Sequence, residues 1–126
     1  MTRKDLINKI QTRRKKLNIT IENLSKISHI GTRTLNRFLS GDDVKLSTIE
    51  KITQTLGLDF AGNEVVKLKD LMEKRANKKA IFLASLVQGT SSLEMQGLDK
   101  DGIENIISNF KQELLNGQYK DKLWVA

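Results

Sequence analysis

Cysteine and proline are both missing from the 126 residues. The first absence excludes disulfides, thiolate catalysis and cysteine-based metal sites together, and the second removes the residue that most often breaks helices. Aromatic residues amount to 5%, with one Trp and one Tyr, and there is one histidine. Long apolar runs are also missing. The longest, Ala80 to Val87, falls far short of the ~18 residues needed to span a bilayer, and the N-terminal MTRKDLINKIQ has no signal-peptide apolar region. The expected location is the cytoplasm, with no membrane contact. An enzyme is not expected either: HExxH and Gly-rich phosphate loops are lacking, and the acidic pair Asp42 and Asp43 sits where turn-forming acids are common.

What is present is a helical pattern. Apolar residues make up 38% of the chain and charged residues 29%, so a packed core is feasible. Leu6, Ile7, Ile10 and Leu17 give a first helix its buried stripe. Thr20 can cap a second helix carrying Ile21, Leu24 and Ile27, in which Ser25 is small enough for close helix packing. The turn Ser28 to Gly31 then leads to a third helix, Thr32 to Leu39. At roughly 100° per residue, Leu35, Phe38 and Leu39 gather on one side of it, while Thr32, Arg33, Asn36 and Arg37 gather on the other. That polar row suits base edges in a major groove, where Arg matches guanine and Asn matches adenine. Gly41 ends the helix. Ser47 to Glu50 reads as a capping box opening a fourth helix with Ile49, Ile52 and Leu56 inward and Gly57 as its stop.

Residues 3 to 58 resemble the Cro and phage-repressor (XRE) family of helix-turn-helix DNA-binding domains. The likeness is carried by ENLSKISHIGTRTLNRFLSG for helix, turn and reading helix, and by LSTIEKITQTLGL for the helix that follows. It implies a bundle of about five short helices whose third enters the major groove of double-stranded DNA, usually as a dimer on a two-fold operator. By position it makes Thr32, Arg33, Asn36 and Arg37 the base-reading candidates and Thr20 a phosphate contact. Two positions depart from the family pattern. Ile21 stands where Gln is frequent, and His29 stands where Gly is frequent in the turn; His29 is read as a turn residue, since histidine tolerates left-handed backbone better than most.

Charge is uneven along the chain. Residues 1 to 59 hold twelve Lys or Arg against six Asp or Glu, whereas residues 60 to 126 hold ten against nine. A basic excess on the module with the reading helix is the electrostatic footprint of nucleic-acid binding. Arg13, Arg14, Lys15 and Lys16 form its densest run. They are read either as phosphate contacts or as a solvated helix end that complements the helix dipole.

The organisation expected is therefore all-α: a lambda-repressor-like helix-turn-helix domain over 1–59, a hinge or short strand over 60–69, and a helical dimerisation or partner-binding region over 70–126. In the last region, a long helix from Asp70 carries an apolar seam of Leu71, Met72, Ala76, Ala80, Leu83, Ala84 and Val87, ending or bending at Gly89. A second helix opens on a capping box at Asp101 to Glu104 and closes at Gly117, with Ile103, Ile106, Ile107, Phe110 and Leu114 at amphipathic spacing. Ile103, Ile107, Phe110, Leu114 and Trp124 are the candidates for a dimer or partner interface, Trp124 being an anchor there or in its own core. The function expected is a transcriptional regulator, most simply a repressor that binds a palindrome as a homodimer and needs no cofactor. The alternative is an antitoxin-type protein whose C-terminal helices grip a protein partner while the N-terminal domain regulates its own operon.

Overall fold

The computed structural model describes residues 2–94 and 100–126, with side chains described for 2–86 and 100–126. Its elements are α1 (Arg3–Leu17), α2 (Ile21–Ser28), α3 (Thr32–Leu39), α4 (Leu46–Thr55), α5 (Leu68–Glu94), α6 (Lys100–Leu115) and a 3-10 turn at Lys120–Lys122. Among the described residues the one non-helical pairing is an antiparallel bridge between Leu58 and Glu64. Two compact units divide the chain, one reaching Leu71 and the other running Met72–Val125.

The first unit is organised by its buried stripes. α1 opens on a capping box in which the Asp5 N–H donates to Thr2 Oγ1 at 3.2 Å and the Thr2 N–H donates to Asp5 Oδ2 at 3.0 Å. The hydrogen bond from the Thr2 backbone, more than that from its side chain, holds the Asp5 carboxyl below its ordinary value. From that start α1 buries Leu6, Ile10 and Leu17, while Ile7 is half-buried. Leu24, Leu35, Phe38, Ile52 and Leu56 meet them in the core, each with no exposed surface. α2 packs against both α3 and α4.

Two local expectations change. The capping box placed at Ser47 is not formed, because α4 starts at Leu46 with Lys45 as its N-cap and no capping side chain. The N–H groups of Thr48 and Ile49 already close on the Lys45 carbonyl, which puts Ser47 inside the first turn. Within the segment 60–69, expected as a hinge or short strand, residues 60–66 are strapped to α1. Asp59 Oδ1 accepts the N–H groups of Ala61 and Asn63, both at 2.9 Å, which folds this segment into a tight turn. Lys9 Nζ reaches the Ala61 carbonyl, and the Gly57 carbonyl accepts from Val65 and Val66. The bridge at Glu64 takes the place of a strand, and helix resumes at Leu68.

Asn18 and His29 both adopt left-handed backbone, at φ 61° and φ 59°. For His29 this is the turn role expected of it. A side chain with a Cβ costs about 1 to 2 kcal/mol in that conformation, partly offset by the greater chain entropy glycine would lose on folding. His29→Gly is therefore expected to stabilise the first unit by about 0.5 to 1 kcal/mol in denaturant titrations. A loss of stability would show that the imidazole makes a contact outweighing the strain.

In the second unit α5 buries Ala76, Ala80 and Ala84 at four-residue spacing, small residues that let a neighbouring element come close. α5 runs through Gly89 to Glu94, because one glycine costs only about 1 kcal/mol in a helix of this length. Val87 of the expected seam lies among the residues whose side chains are not described. Arg75 donates to the carbonyls of Leu123 and Val125, and Lys79 donates to those of Lys122 and Val125 at 2.6 Å each. These bonds fasten the C-terminal turn to α5. Burial lowers the pKa of both cations, and for Lys79 the neighbouring charges of Arg75 and Lys122 add to the effect. Trp124 is buried, at 6% exposure, in the chain's own core, the second of the two places expected for it, and Leu114, at 3% exposure, lines the floor of an open apolar groove with Phe110 and Tyr119. Ile103, Ile107 and Phe110 are half-buried.

Candidate nucleic-acid interface

α3 is the element on which the interface is built. Gly31 is its N-cap, and the helix ends at Leu39, followed by Gly41 at φ 100°. Leu35 and Phe38 are fully buried, and Leu39 is half-buried. That seating turns the opposite face outward, so Thr32, Arg33, Asn36 and Arg37 are all exposed. Periodicity alone accounts for Arg33 and Arg37, which lie about half a turn from Leu35, whereas Asn36 stands at the flank and Thr32 is exposed because it sits in the first turn of the helix.

The four side chains are not equivalent. Thr32 Oγ1 donates to Ser25 Oγ at 3.2 Å, and Ser25 Oγ in turn donates to the Ile30 carbonyl at 2.5 Å. This chain of hydroxyls pins the start of α3 to α2, and it gives Ser25 a role beyond its small size. Arg33 and Asn36 have side chains bound to no other described residue. Arg37 Nε donates to Asp42 Oδ2 at 3.4 Å, with both side chains more than half exposed.

Thr20 caps α2 by accepting the Asn23 N–H at 3.1 Å. Capping uses a lone pair of the hydroxyl, so its proton remains available to donate to a phosphate oxygen.

The basic run at 13–16 separates into three environments. Arg13 is 7% exposed and spends Nε on the Leu56 carbonyl at 2.8 Å, Nη1 on Glu64 Oε2 at 2.6 Å and Nη2 on the Val66 carbonyl. It is a core residue and cannot touch a phosphate. Arg14 is half-buried, giving Nη1 to the Ile19 carbonyl and Nε to Gln11 Oε1, both at 2.8 Å. Lys15 and Lys16 alone stand fully in solvent.

Sequence reasoning passed over Lys45. It is exposed at the start of α4 and shares an open groove with Thr34, Arg37 and Thr48, adjoining the outward face of α3. The signal for it was only the general basic excess, because a lysine in an irregular loop has no periodic partner to mark which way it faces. Among the described residues no helix is long and apolar enough to cross a membrane.

Comparison with known proteins agrees with this geometry. Residues 10–63 match the family model described as helix-turn-helix, which takes in α2, α3, α4 and the strapped turn after them. No curated protein and no solved structure matches the chain.

Proposed function

We propose that residues 10–63, which match the helix-turn-helix family model, form a DNA-binding domain of the Cro and phage-repressor kind, and that the protein is a transcriptional regulator, a repressor acting as a dimer on a palindromic operator. The observation that carries this reading is the outward row on α3. Arg33, Asn36 and Arg37 are the donors that discriminate bases, with Thr32 at the helix start both bonded to Ser25 and within reach of the duplex. Thr20, Lys15, Lys16 and Lys45 are the phosphate contacts that set register but carry no sequence information.

Area and surface chemistry both favour dimerisation. One such module buries too little to reach the affinity of specific sites, and two-fold pairing with half-sites about 34 to 36 Å apart is the geometric remedy. In the second unit Ile81 and Phe82 of α5 are about half or more exposed, at 49% and 62%, and Ile103, Ile107 and Phe110 of α6 are half-buried. A second copy covering them would bury apolar surface otherwise left in water. Sedimentation of the purified protein tests this: a monomer at all concentrations sinks the dimer, and a stable heterologous subunit in place of a second copy supports the antitoxin-type alternative.

Selection of bound duplexes from random DNA tests the reading of α3. Arg33→Ala and Arg37→Ala are each expected to cost about 1 to 3 kcal/mol on the selected site and to relax preference at one base position. Lys15→Ala should weaken binding to all duplexes alike. Equal losses on selected and random DNA for both Arg variants would remove them from base reading.

A further inference from the structure

The first four helices all end in the same turn, and α3 is the odd member. In each, a left-handed residue (Asn18, His29, Gly41 or Gly57) is followed by one whose N–H reaches the carbonyl five residues earlier: Ile19 to Arg14, Ile30 to Ser25, Asp42 to Arg37 and Leu58 to Thr53. This Schellman geometry folds the second residue back over the last turn of its helix, where an apolar contact usually accompanies it. Three of the four follow that habit. Ile19, Ile30 and Leu58 are 1%, 7% and 6% exposed. At α3 the position holds a carboxylate in solvent, and the turn delivers it to Arg37.

An exposed ion pair of this kind contributes little to folding, about 0 to 1 kcal/mol. A negative charge beside a surface that must approach phosphates also weakens every non-specific contact. Asp42 therefore has no evident value for the fold or for bulk affinity. Its value lies in geometry. Holding Arg37 by Nε restrains the guanidinium plane and leaves the Nη1 and Nη2 fork directed away from the bond, the half of the group that grips guanine O6 and N7. The loop bearing Asp42 is itself fixed from the other side, because Arg3 donates to the Gly41 carbonyl at 2.8 Å and pairs with Asp43.

We infer that Asp42 is a specificity-setting positioning residue: it orients Arg37 for a guanine contact while its charge penalises binding that uses phosphates alone. This rests on Arg37 being a base reader. It predicts effects of opposite sign for one substitution, which a structural role or a plain charge effect would not produce.

The test uses the full chain with Asp42→Asn, Arg37→Ala and the double variant, titrated against the selected duplex and a random duplex at several salt concentrations, after circular dichroism has verified helix content. Asp42→Asn is expected to tighten random-duplex binding about two- to fivefold and to reduce guanine discrimination at the position read by Arg37 about three- to tenfold. In the Arg37→Ala background it should leave base preference unchanged and retain only the gain on random DNA. If Arg37→Ala relaxes one base position while Asp42→Asn shifts both duplexes by the same factor, the inference is overturned and the base-reading assignment stands. If Arg37→Ala leaves base preference intact, that assignment falls and takes the inference with it.

Discussion

Arg13→Ala is expected to destabilise the first unit by about 3 to 5 kcal/mol, one of the two greatest losses predicted for this protein. The guanidinium is buried and satisfies three acceptors at once: the Leu56 carbonyl at the end of α4, the Val66 carbonyl in the strapped segment, and Glu64. Truncation leaves two carbonyls without a donor and a cavity where the side chain lay. It also frees residues 59–66 from one of their anchors on α1. Small domains hold only about 5 to 15 kcal/mol in total, so a large unfolded fraction at 37 °C should follow. Urea titration followed by helical circular dichroism measures it, with Lys15→Ala beside it as a control expected to stay within about 0.5 kcal/mol of the parent. A midpoint for Arg13→Ala as close to the parent as that of the control would show that the three hydrogen bonds contribute nothing net. Arg13→Lys should recover only part of the loss, since an ammonium cannot span three acceptors in a plane.

Phe38→Ala should cost about 3 to 5 kcal/mol, for a different reason. Phe38 has no exposed surface and is the largest apolar group seating α3 on the core. Removing it deletes the transfer energy of the ring and leaves a void that the surrounding helices fill only in part. DNA binding should fall with folding, and it should return at low temperature or with excess duplex, because ligand binding to the native form pulls the equilibrium back. Arg33→Ala is the contrasting case: its side chain is exposed, so stability should hold while site preference changes. A Phe38→Ala protein that melts like the parent but no longer binds would mean that the residue acts on DNA directly, against its burial.

Arg13 and Arg33 differ in burial, and helical spacing carries that difference even though the charge run hides it. Both are arginines in a basic module, and composition treats them alike. Helical spacing separates them: Arg13 lies three residues after Ile10 and four before Leu17, on the buried stripe itself, whereas Arg33 lies opposite Leu35 and Phe38. The signal was present but outweighed by the charge run 13–16, since a charged residue on an apolar face is seldom buried without partners. The partners here are carbonyls 43 and 53 residues away, which no local pattern can announce. Asp42 is a similar case. Its neighbours in sequence mark a turn, and only the backbone of that turn shows which side chain it faces.

Local periodicity and caps act within a few residues, through one helical turn and its terminal hydrogen bonds. The sequence alone therefore determined the all-helical class, the span of α3 as Thr32–Leu39, the outward placement of Arg33 and Arg37, and the turn at His29. Burial of a charge, the strapping of residues 59–66 to α1, the start of α4 one residue ahead of its apparent capping box, and the inward placement of Leu114 and Trp124 were decided by the tertiary structure. Each depends on which distant backbone groups and apolar surfaces meet after collapse, and that pairing is a property of the packed chain, absent from any single stretch of it.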